Sequence, residues 1–392
     1  MALELGFIAL ADAAPLIVAK ARGYFGEEGL DVALHREVSW ATIRDKVAAG
    51  VFQGAHMLAP MALAANMGVG SEPTPLIVPM ALNAHGASLG ISRALAAEME
   101  RFLPEAPLDV AALAAVVAAR AASGRPAVSF ATVFPYSMHA YMLRYWAASG
   151  GVDPDRDIRI VVAAPTAIAA RLKSGEIDGF CVGAPWGAMC EADSAARIAL
   201  RAATFWPGGP DKVLGLSQSW ADADPAATMA LVRALIRAAV WADAPENAAE
   251  LAKLLSRREW LDAPATLIGR ALASGPDQIR FARHAALYPW RSHAAWILSQ
   301  QMRWGQIGAG IDASTALACY RPDVFRAACL DAGINAPSTD SKIEGAHDRP
   351  WNQPGLRGSI PMTADLILGG GAFDPERLHE YAAGFAISRL GS

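Results

Sequence analysis

The feature that most constrains the fold is an alternation of short apolar segments with helical segments along the first half of the chain. Apolar runs predict strands at 3–9, 29–35, 53–58 and 76–81, and the helices predicted between them cover 14–23, 40–49 and 61–67. Such alternation predicts a mostly parallel sheet with helices on both faces, because parallel strands are buried as continuous apolar runs. The chain is therefore predicted to belong to the α/β class.

A second α/β unit follows the first. Its predicted helices cover 93–102, 110–122, 137–148 and 166–173, and its predicted strands cover 127–131, 158–162 and 177–182. The chain then returns to the first unit through 198–204 and 213–217 and becomes largely helical. We predict two doubly wound lobes with an interlobe cleft and a mostly helical C-terminal extension. Lobe I comprises 1–84 and 189–330, lobe II comprises 85–188, and 331–392 form an extended arm and a helix that pack on lobe I.

Composition excludes several classes of protein. Hydrophobic residues make up 53% of the chain and charged residues 18%, which is typical of a globular protein, and a net charge of −4 gives no reason to expect direct contact with nucleic acid. Four scattered cysteines match neither a disulfide framework nor a zinc motif and indicate ordinary thiols in a reducing compartment. The longest uncharged stretch, 73–92, is interrupted by prolines, so no membrane span is predicted.

Motifs for catalysis are missing from the sequence. It contains no Gly-x-Ser-x-Gly, no phosphate-binding loop, no His-Glu-x-x-His and no dinucleotide fingerprint. We therefore expect neither an enzyme nor a bound cofactor or metal.

Polar residues follow several predicted strands, at the end of the sheet where ligands of open α/β folds bind. They include Ser39, Ser137 and Thr166, which alternatively cap their helices, and His139 and Lys212, which alternatively are a core histidine and a solvated lysine. Two tryptophans, at 40 and 186, are more often core residues than ligand walls. Together, a lysine, histidines and aromatic walls near helix N-termini predict a site for a small anion, without a nucleophile–base pair.

Longer motifs carry a family resemblance. Residues 13–20 and 23–32 resemble the opening of type II substrate-binding proteins for nitrate, sulfonate and thiamine precursors. Residues 38–46, 54–61, 138–146 and 175–186 are similar to the nitrate- and bicarbonate-binding components of ABC transporters. The resemblance covers roughly residues 3–330 and implies a type II periplasmic-binding-protein-like fold.

The resemblance also implies a ligand site. By this resemblance, Trp40 forms a wall of the anion pocket, and His139 and Lys212 are the donors that hold nitrate. The residues implied to complete the pocket are His85, Gly86, Pro165, Val182 and Gly183. His85-Gly86 stands where the transport proteins tend to have Gln-Gly. The resemblance implies that Lys212 favours nitrate over bicarbonate, because the similar site of bicarbonate-binding proteins has another residue in place of the lysine.

The first predicted strand begins at the start of the sequence, with no export signal ahead of it, which favours a cytoplasmic protein. In the resemblance this is the NasS-type branch of nitrate/nitrite sensors. Such sensors hold an RNA-binding, ANTAR-domain antiterminator of the NasT type until nitrate or nitrite releases it, so the expected partners are the anion and that protein, with no nucleic acid and no membrane. Two alternatives stay open: the substrate-binding component of an ABC-type nitrate transporter, and an enzyme acting on a small anion or a thiamine-precursor-like substrate.

Overall fold

Two five-stranded sheets and a terminal hairpin organise the computed structural model, which describes residues 2–273, 275, 278–308 and 310–390. The strands are β1 (Leu3–Ile8), β2 (Val32–Glu37), β3 (Gly54–Leu58), β4 (Leu76–Ala81), β5 (Ala87–Ser92), β6 (Val128–Thr132), β7 (Ile158–Val162), β8 (Gly179–Gly183), β9 (Ala196–Arg201), β10 (Lys212–Ser217), β11 (Trp351–Gly355) and β12 (Gly358–Met362).

Helices cover both sheets, and further helices follow β10. Those of the two α/β units are α1 (Ala14–Ala21), α2 (Tyr24–Glu27), α3 (Trp40–Ala48), α4 (Ala59–Asn66), α5 (Arg93–Phe102), α6 (Val110–Ala122), α7 (Met138–Ser149), α8 (Ile168–Lys173), α9 (Trp186–Ala192) and α10 (Ala202–Phe205). The later helices are α11 (Gln218–Ala223), α12 (Pro225–Asp243), α13 (Ala248–Leu255), α14 (Ala265–Leu272), α15 (Arg291–Arg303), α16 (Ala313–Leu317), α17 (Pro322–Asp331) and α18 (Leu378–Ala383).

The two sheets share one topology. The first has the order β2-β1-β3-β10-β4, and the second has the order β7-β6-β8-β5-β9. In each, four strands run in one direction and one strand, β10 or β5, runs against both of its neighbours. The chain crosses between the sheets after β4 and again after β9. The predicted fold, two mostly parallel α/β lobes, is confirmed.

Strand β5 was not predicted, and its pairing corrects one lobe boundary. Its sequence, rich in small residues with Gly90 near its centre, gives a weak strand pattern. Gly90 is required because a Cβ there would lie 2.4 Å from a ring carbon of Phe180 on β8. Since β9 also pairs with β5, the chain returns to the first lobe after Arg201, and residues 189–201 do not belong to lobe I as predicted. The other lobe boundaries stay predictions.

The long helix α12 packs inside the first lobe. It contacts α1, α17 and α2, and buries its apolar residues against β-sheet and helix side chains. In the described part of the chain it is the one helix long and apolar enough to cross a membrane, and 56% of that stretch is already buried within the protein. A buried core helix passes the same test of length and composition, so this finding is weak evidence for a span.

The C-terminal arm contacts both lobes, although it was predicted to pack on lobe I. Strands β11 and β12 form an antiparallel hairpin, and α18 packs on α15. Phe385 then meets the ring of Tyr145 on α7 at a centroid distance of 5.5 Å, and the Arg389 guanidinium pairs with the carboxylates of Asp153 and Asp155 in the second lobe. These ion pairs hold the C-terminal end of the arm against the second lobe.

All four cysteines are buried free thiols. Burial raises the pKa of each thiol, so none is an activated nucleophile.

Candidate functional site

A buried lysine lies at the junction of the two lobes. Lys212 is the first residue of β10, at the second crossing between the sheets, and its side chain is 0% exposed. Its Nζ lies 2.9 Å from Oδ2 of Asp12 and 2.7 Å from Oδ1 of Asp211. An isolated buried ammonium is strongly unfavourable, so these two carboxylates are what allow a charged lysine here.

Asp12 is placed by the end of the first strand. It lies in a single helical turn, Ala11–Ala13, between β1 and α1, and is 1% exposed. Its Oδ1 lies 2.9 Å from Nε2 of His56 on the adjacent strand β3, and Nδ1 of the same ring accepts the backbone N–H of Ile8 at 3.5 Å. That arrangement favours the neutral tautomer with the proton on Nε2.

Trp40 forms one wall of this cluster. The hydroxyl of Ser39 accepts the backbone N–H of Thr42 at 3.1 Å, and this N-cap starts α3 so that Trp40 is its first residue. The indole is buried, with its ring centre 5.8 Å from the Lys212 Nζ and 5.3 Å from the His56 ring. Within the described residues its Nε1–H has no hydrogen-bond acceptor, which leaves a donor available at the site.

The second lobe contributes His139. Ser137 caps α7 by accepting the backbone N–H of Ala140 at 3.0 Å, which places His139 in the first turn. The imidazole is 0% exposed, and neither ring nitrogen has a partner in the part of the chain that the structure describes. Buried polar atoms without hydrogen-bond partners are rare in folded proteins, so the ring nitrogens of His139 are candidates for contact with a ligand.

Gly183 lies where the two lobes meet. It ends β8, and a Cβ built on it would lie 3.5 Å from Nε2 of His139 and 3.5 Å from Oδ2 of Asp12. Because Asp12 in turn holds Lys212, the histidine of one lobe and the lysine of the other face the same small volume. The predicted convergence of His139 and Lys212 is therefore present in the structure, with both side chains buried.

Burial and charge set the protonation states. Burial lowers the pKa of His139 well below its ordinary value, and the nearby Lys212 cation lowers it further, so the ring is neutral. Burial alone would lower the pKa of Lys212, but Asp12 and Asp211 outweigh it and the net shift is upward. Burial also acts to raise the pKa of Asp12, yet Lys212 and His56 together hold it below the ordinary range.

Asp211 has the opposite shift. Burial is the largest influence, and with the repulsion from Asp12 it outweighs the attraction of Lys212, so the pKa of Asp211 rises to about 6. The two carboxylates thus share one lysine, and their environments push their pKa values apart. Burial likewise lowers the pKa of His56, against the influence of Asp12.

The predicted ligand residue His85 is turned toward backbone carbonyls. Its Nε2 lies 2.5 Å from the Pro207 oxygen and its Nδ1 3.3 Å from the Gln278 oxygen. The side chain of Asn83 links the backbone of His85 to that of Lys212. It donates to the His85 carbonyl oxygen at 2.8 Å and accepts the Lys212 backbone N–H at 3.2 Å. Burial and the Arg280 cation lower the pKa of His85 to about 4.

Gly86, Pro165 and Val182 lie near strand ends, as predicted. Gly86 has a positive φ of 95° just before β5, Pro165 opens a helical turn after β7, and Val182 is buried beside Gly183 on β8. Their contact with a ligand stays a prediction. Thr166 lies inside its helical turn and does not cap it, unlike Ser39 and Ser137.

Asp12 and His56 were missed by the sequence analysis. Asp12 is the sole charged residue between Glu4 and Lys20, in an otherwise apolar run, and His56 interrupts the apolar strand β3. A lone ionisable residue in an apolar segment is a sequence signal for a functional residue. Burial of an unpaired charge is strongly disfavoured, so such a residue must have a partner.

The arrangement offers hydrogen-bond donors to a small ligand. Lys212 supplies a positive charge beside the carboxylates of Asp12 and Asp211, and within the described residues His139 and Trp40 have ring nitrogens without hydrogen-bond partners. Two α/β lobes, each with one reversed strand, and a buried cation at their junction define the class: a substrate-binding protein with the type II fold.

Comparisons with known proteins give the family. The chain belongs to the NMT1-like family, whose model matches residues 1–256. The nitrate/nitrite binding protein NrtA of Synechococcus elongatus is 31% identical over 409 residues, which cover 98% of this chain and 86% of that protein. The bicarbonate-binding protein CmpA of the same organism is 30% identical over 361 residues, with 85% and 79% covered.

A solved structure agrees with these relatives. The crystal structure of the periplasmic nitrate-binding protein NrtA from Synechocystis superposes with a TM-score of 0.85 at 29% identity and covers 98% of both chains.

Proposed function

We propose that the protein binds nitrate or nitrite between its two lobes. The observation that carries this proposal is the meeting of Lys212 and His139, each buried and each from a different lobe, at one small volume. At an effective dielectric near 20, an ammonium about 4 Å from a monovalent anion contributes on the order of 4 kcal/mol. The relatives named as nitrate/nitrite binding proteins support the same ligand.

Binding is coupled to lobe movement. Asp12, Trp40, His139 and Lys212 are all at most 1% exposed, so an ion reaches them after the lobes separate. Contacts that close the site include the Trp186 Nε1–H donating to the Ala9 oxygen at 2.9 Å and the Ala11 N–H donating to the Ala184 oxygen at 2.9 Å. An anion that contacts both lobes stabilises the closed form over the open one.

Isothermal titration calorimetry tests this proposal directly. Nitrate and nitrite are titrated into the protein, with bicarbonate and sulfate as competing anions of different charge and hydrogen-bonding capacity. Heat from nitrate or nitrite, lost in Lys212→Ala, is the expected result. Lys173→Ala is the matched control, because this exposed lysine pairs with Asp193 on the surface of the second lobe. Unchanged affinity in Lys212→Ala would reject the site.

For the biological role, the relatives favour the substrate-binding component of an ABC-type nitrate importer. They include a nitrate import ATP-binding protein of Synechocystis, 33% identical over 346 residues that cover 84% of this chain and 50% of that protein. This role predicts that the liganded protein stimulates the ATPase of a reconstituted nitrate permease.

The second candidate role is a cytoplasmic sensor that releases an ANTAR-domain antiterminator when the anion binds. Co-purification with such an antiterminator, with and without nitrate, tests this role. A complex that forms without nitrate and dissociates with it supports sensing, and a complex indifferent to nitrate rejects it.

A further inference from the structure

The charges around Lys212 do not favour an incoming anion as they stand. One ammonium faces the two carboxylates of Asp12 and Asp211, and His56 and His139 are neutral. The cluster therefore carries a net charge of −1 when both acids are ionised, and nitrate would bring it to −2 in a volume closed to solvent. Buried like charges that cannot separate change their protonation state instead.

Lysine geometry leaves room for a third partner. An ammonium has three N–H donors, and the two carboxylates at 2.9 and 2.7 Å take two of them. The third is available to an anion, so the lysine does not have to release either acid. The excess negative charge, and not a shortage of donors, is then the obstacle to binding.

We propose that Asp211 takes up one proton when the anion binds, so that the protein binds nitrate together with H⁺. This proposal rests on the proposed function and assigns Asp211 as a residue that determines specificity. The proton comes from solvent and ends on a carboxylate oxygen of Asp211, which keeps the charge of the occupied cluster at −1. A protonated carboxyl also donates a hydrogen bond, which an ionised one does not.

Asp211 accepts a proton more readily than Asp12 does, because more cations and hydrogen-bond donors stabilise the ionised form of Asp12. Asp12 lies within 2.9 Å of both Lys212 and His56, whereas Asp211 has Lys212 as its ion-pair partner and Asn83 beside it. The raised pKa of Asp211, about 6, agrees with this choice.

Several other ionisable groups lie near Asp211. Its neighbour Lys212, Asp12 between β1 and α1 and Cys181 on β8 interact with it electrostatically, and His85 before β5 lines the same cavity. His56 on β3 and His139 on α7 interact with Asp12 and Lys212. The three imidazoles and Asp12 have lowered pKa values, which oppose proton uptake, and Lys212 and Cys181 already hold a proton, whereas burial raises the pKa of Asp211. A cavity of about 20 Å³ beside it, lined also by Met138 and Trp206, is large enough for one water that could carry the proton.

The consequence for specificity is a dependence on pH. Nitrate has no proton to donate, so its binding requires one from solvent, and its affinity should fall about tenfold per pH unit above the pKa of Asp211. Bicarbonate brings the same negative charge, but its hydroxyl can donate a hydrogen bond to an ionised Asp211, which nitrate cannot do. Raising the pH should therefore shift the preference from nitrate toward bicarbonate.

Calorimetry in two buffers tests this proposal. Nitrate is titrated at about pH 7 in phosphate and in Tris, whose ionisation enthalpies differ, and the difference in heat gives the number of protons taken up. Wild type should take up about one proton. Asp211→Asn should take up none and bind with an affinity that no longer depends on pH, while Asp348→Asn, an exposed acid, should behave as wild type.

A second measurement needs no variant. The infrared difference spectrum of wild-type protein with and without nitrate should gain a carboxylic-acid C=O band. Nitrate binding without proton uptake in wild type would overturn this proposal and leave the proposed function standing, whereas wild type that binds neither nitrate nor nitrite at any pH would overturn the function itself. Uptake that persists in Asp211→Asn would also overturn the assignment.

Discussion

Lys212 and Asp12 form a fully buried ion pair, with 2.9 Å between Nζ and Oδ2, although two hundred residues and an entire second lobe separate them in the chain. The pair belongs to the first lobe, because β10 returns from the second lobe to lie beside β3. Since the cation is fixed before any ligand arrives, an anion binds a prepared site and the ordering of a long flexible side chain does not oppose binding.

Removing Asp12 should therefore destabilise the whole fold. Asp12→Ala leaves His56 without its partner and Lys212 with the carboxylate of Asp211 alone. Leaving a buried charge without any partner costs about 3–5 kcal/mol, and because Asp211 still pairs with Lys212 we expect a loss toward the lower end of that range. The free energy of unfolding from urea titrations measures the loss. Asp193→Ala is the matched control, because it breaks an exposed pair with Lys173 and should cost about 1 kcal/mol or less. Equal losses in the two variants would contradict the buried pairing.

Gly183→Ala should weaken nitrate binding more than it weakens the fold. The added methyl would lie 3.3 Å from a Leu10 methyl and 3.5 Å from both His139 Nε2 and Asp12 Oδ2, in the volume where the lobes meet. We expect about a tenfold or greater loss of affinity by calorimetry, because the methyl occupies part of the volume between His139 and Asp12 that the anion is proposed to enter. Gly26→Ala on α2, where a Cβ meets nothing within 4 Å, is the control and should bind normally.

Stability should vary with pH in opposite directions through the two acids. Asp12 has a depressed pKa, so its contribution is present above about pH 4 and is lost on further acidification. Asp211 has a pKa raised to about 6, so its contribution is complete below about pH 4 and is lost as the pH rises through 6.

Asp211→Asn isolates the second effect. Above about pH 6 this variant should be more stable than wild type, by on the order of 2–3 kcal/mol, and the advantage should vanish toward pH 4. Thermal unfolding of both proteins across this range measures the difference. A gap that widens toward acid pH would mean that the sign of the shift is wrong.

Much of the fold could be predicted because local pattern and tertiary structure agree there. The bounds of β4, β7, α5 and α6 match the prediction, since each is an apolar run or an amphipathic segment with clear ends. The missed strands are β5, β11 and β12. They contain small residues, glycine or proline, and it is tertiary pairing, such as that of β5 with β8, that makes them strands.

The site was predictable where its residues follow strands. Lys212 and His139 lie at such positions, and the resemblance singled them out. Asp12 was overlooked because its importance depends on the pairing of β1 with β3 and of β3 with β10, which brings Asp12, His56 and Lys212 together from separate segments. The orientation of His85 toward Pro207 also depends on a contact between residues more than a hundred positions apart, which no local pattern reveals.

His139 gives the sharpest separation of binding from stability. Its two ring nitrogens are buried without a partner in the described part of the chain, so His139→Leu removes polar atoms whose burial is unfavourable. We expect the variant to be as stable as wild type or about 1 kcal/mol more stable in urea unfolding, while nitrate affinity falls about tenfold or more because a donor is lost. His139→Gln, which restores a donor, should recover part of the affinity, and the exposed His379→Leu should change neither property. A His139→Leu protein that binds nitrate normally would show that the imidazole belongs to the core and not to the anion site.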